Sequence, residues 1–231
     1  MDPRGLIQPS LNEKIAILLH PAGSGAGPKL VALSFDDGPY PVTTPLLLDR
    51  LHDLGVPATF FLIGSDAERY PELTRRIAQD GNEIANHTFT HPDRLESMGA
   101  GAIARELDRA RTTLAELSGQ RASLSLMRPP HGRYDGPSIR AIQAAGYDIV
   151  LWNDDPGDLR AVTQAALAAH VFSHATAPEI VLLHNGHLPT VELLAEIVRR
   201  YRDAGYSFVT VGRLVRQVPV AAINRPTRLV L

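Results

Sequence analysis

The chain has 231 residues, 44% hydrophobic and 21% charged, with a formal net charge of -2 and a pI near 6.5. That is enough for one well-packed domain and short for two, with no basic footprint for nucleic acid or an anionic membrane surface. Its 9 histidines and complete lack of cysteine exclude disulfides and thiolate ligation, and leave His, Asp and Glu as the metal donors.

In chain order, the opening MDPRGLIQPS lacks the apolar segment of a secretory signal, and AGSGAGPK (22–29) reads as a flexible lead-in. From residue 30, short β-rich runs alternate with segments of helical period. Strands are expected at 30–35, 58–64, 83–87, 124–128, 147–152, 179–184 and 206–211. Between them the i, i+3, i+4, i+7 spacing predicts helices at 43–55, 70–81, 100–119, 136–146, 161–175 and 188–205, most closing on a C-terminal Gly. The expected organisation is a lead-in (1–29), one α/β domain (30–213) and a peripheral tail (214–231), with no run near the ~18 residues of a membrane span.

Periodicity alone does not separate an open doubly wound sheet from a (β/α) barrel. In both, function gathers at the carboxyl ends of parallel strands, and the unusual polar residues here follow strand ends. Asp36 and Asp37 follow the first, His87 and His91 the third, Arg128 the fourth, Asp155 and Asp158 the fifth, and His184 ends the sixth. Five strands are therefore expected to converge on one site.

The chemistry of each cluster follows from its residue types. SFDDGP sets two carboxylates side by side before a turn, a costly arrangement without a cation, and neighbouring side chains diverge, so one can ligate while the other faces substrate. HTFTH adds two imidazoles four residues apart, and one Asp with two His is the donor set of a catalytic zinc site with open positions. In MRPPHGRYD, Arg128 is placed to pair with an inward carboxylate, and the prolines stiffen a loop that aims the His131 N–H at a developing oxyanion. LWNDDPGD and IVLLHNGH set Asp158 near enough to hydrogen-bond His184 and support its imidazolium as a general acid.

In order and spacing, SFDDGP, HTFTH, RPPHG, DDPGD and LLH resemble the five motifs of the polysaccharide deacetylase (NodB-homology) family of carbohydrate esterases, over roughly residues 30–213. The resemblance implies a single-domain distorted (β/α) barrel of about seven parallel strands and a metal-dependent deacetylase acting on N-acetyl or O-acetyl groups of glycans such as chitin oligomers or peptidoglycan. It places Asp37, His87 and His91 as ligands of one divalent metal, Zn foremost, with Co, Ni, Mn and Fe compatible with the donor set. It makes Asp36 the general base with Arg128 as its partner, His184 the general acid with Asp158 as its tether, and His131 the backbone oxyanion donor. Leu182 takes the acetyl-methyl pocket, and Pro130, Trp152 and Leu159 join it on the substrate side. An acetylated glycan is the one partner implied, in an extracytoplasmic setting.

Three positions depart from the family pattern. His131 stands where Tyr is usual, Leu159 where a Trp offers a ring for sugar stacking, and Asn185 where Asp often follows the acid histidine. The lost aromatic brings in a second reading, a same-fold hydrolase of formamides or cyclic imides. A non-catalytic carbohydrate-binding relative is the third, and retention of Asp36, Arg128, Asp158 and His184 speaks against it.

Overall fold

The structure, a computed structural model, describes residues 29–120, 123–159 and 178–217. Numbered among these residues, the elements are β1 (Leu30–Asp36), α1 (Thr43–Leu54), β2 (Thr59–Leu62), α2 (Gly64–Arg69), α3 (Pro71–Gln79), β3 (Glu83–Asn86), α4 (Ala100–Ser118), β4 (Leu126–Met127), α5 (Gly136–Ala144), β5 (Asp148–Ile149), β6 (Glu179–His184), α6 (Leu188–Asp203), β7 (Ser207–Phe208) and α7 (Val211–Gln217). The expected helix at 161–175, the lead-in up to residue 28 and the tail beyond 217 lie outside the described residues.

All strand pairs are parallel, in the order β5-β4-β3-β2-β1-β6, with β7 against the start of β1. A single bridge between Asp154 and Val181 ties the chain leaving β5 to β6, so the curled sheet meets itself as a distorted barrel.

β1 is buried at every position, as a strand covered on both faces must be. Its alternate residues enter different cores. Val31, Leu33 and Phe35 pack outward with Leu47, Leu48 and Leu51 of α1 and with Leu194, Ile197 and Val198 of α6. Leu30 and Ala32 pack inward with Phe61, Ala85, Leu126, Val150 and Ile180. The same period of two puts Ser34 and Asp36 on the inner face, so the apolar column inside the barrel ends in polar groups at its carboxyl mouth.

Several strands are shorter than the apolar runs suggest, each for a visible reason. β4 stops before Arg128 because Pro129 has no N–H to continue the ladder. β5 stops at Ile149 because the carbonyls of Val150 and Leu151 accept from the Arg128 guanidinium, at 3.2 Å each, rather than from a neighbouring strand. β2 ends at Leu62, and the GSDAER stretch forms a helix that the strand pattern of 58–64 conceals. Likewise Val211–Gln217 is a helix running through the anticipated domain limit at 213/214. The buried Glu83 carboxylate receives the Gly212 N–H at its start, at 2.8 Å.

Candidate active site

Arg128 is the largest fully buried side chain and fills the barrel below the mouth. Its guanidinium donates to Asp36 Oδ1 at 2.5 Å, to Ser34 Oγ at 3.0 Å and to the Val150 and Leu151 carbonyls, and lies 4.1 Å from the centre of the Phe61 ring. A buried cation needs this degree of pairing. One Asp36 oxygen is thereby tied down, while Oδ2 stays on the open side, 3.8 Å from His87 Nε2.

A regular strand would send the residue after Asp36 outward, into the helices. Asp37 instead adopts φ 71°, a left-handed turn that brings its carboxylate back to the mouth. Thr88, His91 and His131 also have positive φ, at 67°, 52° and 57°, so the four non-glycine residues of this kind among the described residues all lie around this one site.

The histidine loop is built to match. His87 Nδ1 lies 2.7 Å from the Arg128 carbonyl and donates to it, which leaves Nε2 as the unprotonated nitrogen. Asn86 Oδ1 accepts from the Thr88 N–H, Thr88 Oγ1 from the His91 N–H, and the Glu106 carboxylate from the N–H groups of Phe89 and Thr90. The first amides of α2, at Gly64 and Ser65, donate to the Thr88 and Phe89 carbonyls. A Cβ on Gly64 would lie 2.6 Å from the Phe89 ring, so glycine is what allows that approach.

Asp37 Oδ1 sits 3.6 Å from His87 Nε2 and 3.5 Å from His91 Nε2, and one donor atom from each of the three residues lies within 4.8 Å of the others. Burial, with Asp36 alongside, pushes the Asp37 carboxyl up. Burial pushes both imidazoles down, toward the neutral form that has a lone pair to offer. A carboxylate whose ionisation is penalised beside two neutral imidazoles fits a divalent cation, which removes that penalty.

Across the mouth, His184 Nδ1 lies 2.7 Å from Asp158 Oδ1, while Asp158 Oδ2 accepts from the His184 N–H and from Thr190 Oγ1, both at 2.8 Å. Burial alone would lower the His184 pKa; the hydrogen bond and charge of Asp158 more than offset it, and the net shift is upward. Asp155, from the same acidic stretch, accepts from the Gly157 N–H and closes a turn.

His131 stands at the exposed rim, its ring edge-on to His91 with centroids 4.8 Å apart. Leu159 lines a cavity of about 460 Å³ together with Asp37, Tyr40, Pro41, Val42, Thr43, His184 and Gly186. Leu182, Pro130 and Trp152 are not among its lining residues: Leu182 and Pro130 are buried, and the half-buried Trp152 ring packs over Gly132 and beside Arg128. Tyr40, Ser34 and Thr190 escaped the sequence reading. Only Tyr40 had a local signal, its place directly after SFDDGP.

The sequence profile of the family described as Polysaccharide deacetylase matches residues 23–150. The chain belongs to this family. It is 37% identical over 196 residues to a chitooligosaccharide deacetylase of Sinorhizobium fredii, covering 85% of this chain and 87% of that protein. It is 32% identical over 186 residues to the peptidoglycan-N-acetylmuramic acid deacetylase PdaC of Bacillus subtilis, covering 80% of this chain but only 38% of that longer relative. The Bc1960 peptidoglycan N-acetylglucosamine deacetylase superposes with a TM-score of 0.80 at 28% identity, over 89% of this chain and 94% of that one. Polysaccharide deacetylases thus share this barrel across sequences that retain about a third of their residues.

Proposed function

We propose that the protein is a hydrolytic deacetylase that removes N-acetyl groups from amino sugars of glycans. The observation that carries this reading is the pairing of two proton-handling groups, Asp36 on Arg128 and His184 on Asp158, on either side of the Asp37, His87 and His91 cluster.

The residues that would hold a divalent cation are Asp37, His87 and His91, and their carboxylate and imidazole donors suit Zn first. When bound, such a cation supplies the charge that polarises the acyl carbonyl and acidifies the attacking water. The remaining steps belong to the chain. Asp36 accepts the water proton on Oδ2, the oxygen Arg128 leaves open. Arg128 holds that carboxylate inward by one oxygen and leaves the other free to accept.

The oxyanion that forms as water adds to the carbonyl carbon is met by the His131 backbone N–H, carried at the rim by the left-handed turn. His184 uses Nδ1 for Asp158, so Nε2 is the atom that hands a proton to the departing nitrogen as the C–N bond breaks. Acetic acid, present as acetate, and a free amine result. The test is acetate release from chitin oligomers and peptidoglycan fragments by zinc-loaded protein, with acetylated xylan and small formamides as comparisons. Acetate from the N-acetylated sugars supports the reading; one bound cation per chain with no acetate from any of them refutes it.

A further inference from the structure

The mouth is chemically two-sided. The His131 rim carries Asp93, Arg94 and an Arg133–Glu96 ion pair at 2.8 Å. The His184 rim instead exposes large apolar side chains. Among the described residues, the exposed large hydrophobic side chains are Val42, Leu46, Leu159 and Leu188, with Val42 65% and Leu159 60% accessible. Val42 and Leu159 line the cavity that contains His184. Leu46 is one helical turn beyond Val42 on α1, and Leu188 follows Gly186 by two residues. Isolated exposed hydrophobic side chains need no explanation, but two of them facing one cavity beside His184 do.

The wall of this cavity is assembled deliberately. Tyr40 lies across two glycines: a Cβ at Gly186 would come within 2.8 Å of its ring, and one at Gly38 within 3.1 Å. The loop carrying it is pinned from behind, since the Tyr40 N–H donates to Thr44 Oγ1 at 2.7 Å and that hydroxyl donates to the buried Asn185 Oδ1 at 2.9 Å. Asn185 is thus a positioning residue for Tyr40.

The position of His184 says what occupies the space. A proton donor delivers to the departing nitrogen, so the residues around His184 contact the part of the substrate bonded to that nitrogen. Val42 and Leu159 offer no hydrogen bonds, and sugar hydroxyls laid against them would lose water without replacement. An alkyl or aryl group would gain by burial there. Carbon C1 of an amino sugar is adjacent to the carbon bearing the departing nitrogen.

We propose that Tyr40, Pro41, Val42 and Leu159 form a subsite for an apolar aglycone, so that the preferred substrate class is an N-acetylated amino sugar carrying an alkyl or aryl group at C1 rather than a further sugar. This rests on the deacetylase reading and narrows it.

The experiment compares kcat/KM for acetate release from hexyl β-N-acetylglucosaminide and from N,N′-diacetylchitobiose, with zinc-loaded full-length chain. The expected result is a preference of about tenfold or more for the hexyl glycoside, equivalent to ~1.4 kcal/mol, expressed mainly in KM. Val42→Asn and Leu159→Asn should each shrink that preference by roughly threefold to tenfold, and Leu159→Trp should shift it toward chitobiose. Both side chains are exposed, so the folded state should survive, as circular dichroism would register. Acetate from both substrates with no preference for the hexyl glycoside overturns the subsite and leaves the deacetylase reading standing. No acetate from either, with zinc bound, overturns the subsite, and the deacetylase reading falls with it when chitin oligomers and peptidoglycan fragments also release none.

Discussion

Where β1 and β3 end, Asp37, His87 and His91 are positioned by backbone: left-handed turns at Asp37 and His91, the Arg128 carbonyl on His87 Nδ1, and the first amides of α2 on the loop carbonyls. Where β6 ends, His184 is positioned through side chains, Asp158 on its ring and Thr190 on Asp158. On the proposed function the two halves would have different tasks. Three donors that share one cation must agree in position to tenths of an ångström, and a strained, over-determined backbone provides that. A proton donor needs a tuned pKa, and a neighbouring carboxylate supplies it at little cost in geometry.

The contrast breaks most visibly in a His87→Ala, His91→Ala double variant. Cation binding should be lost and acetate release should fall to background, while the chain stays folded with a lowered melting midpoint, because the buried His87 ring no longer satisfies the Arg128 carbonyl. Elemental analysis alongside a thermal melt checks both; full metal occupancy would mean that these imidazoles are not the ligands.

Next in size, Asp36→Asn should lower kcat by roughly 10²- to 10⁴-fold with the cation retained, because the amide takes up no proton. A variant that loses its metal instead would exchange the roles of the two aspartates. Arg128→Met removes the partner of the buried Asp36 carboxylate and should cost about 3–5 kcal/mol of stability, read from denaturant midpoints.

On the His184 side the effects are smaller and appear in pH. His184 must be protonated to act, so activity falls as pH rises through its raised pKa. In Asp158→Asn the carboxylate charge that helps to raise it is gone, so the alkaline limb should move to lower pH. The acid limb should move less, because the hydrogen bonds of Asp158 go to His184 and Thr190 alone among the described residues. Amide substrates should lose more rate than activated aryl acetates, whose leaving group departs without a proton. An unmoved alkaline limb with equal losses on both substrates would remove His184 as general acid.

Smallest is Thr190→Val, which deletes one of the three hydrogen bonds to Asp158, worth ~1 kcal/mol. The alkaline limb should move by less than in Asp158→Asn, because the carboxylate charge beside His184 remains. A shift as large as that of Asp158→Asn would make Thr190, not the carboxylate charge, the main support of the histidine.

The sequence by itself determined the alternation of strands and helices and the set of polar residues at the strand ends, because each depends on local periodicity or on a residue's own chemistry. The residues alone left open which of Asp36 and Asp37 faces Arg128; resemblance assigned it to Asp36, where the structure puts the guanidinium, across 92 positions of chain. Only the tertiary structure decided where β4 and β5 stop, since Arg128 takes the carbonyls that a longer ladder would have used. It also decided that Tyr40, and not Leu182 or Trp152, walls the cavity beside His184. That choice rests on Gly38 and on the Asn185–Gly186 pair, which lies far along the chain from Tyr40, and no local pattern shows which ring will lie across which glycine.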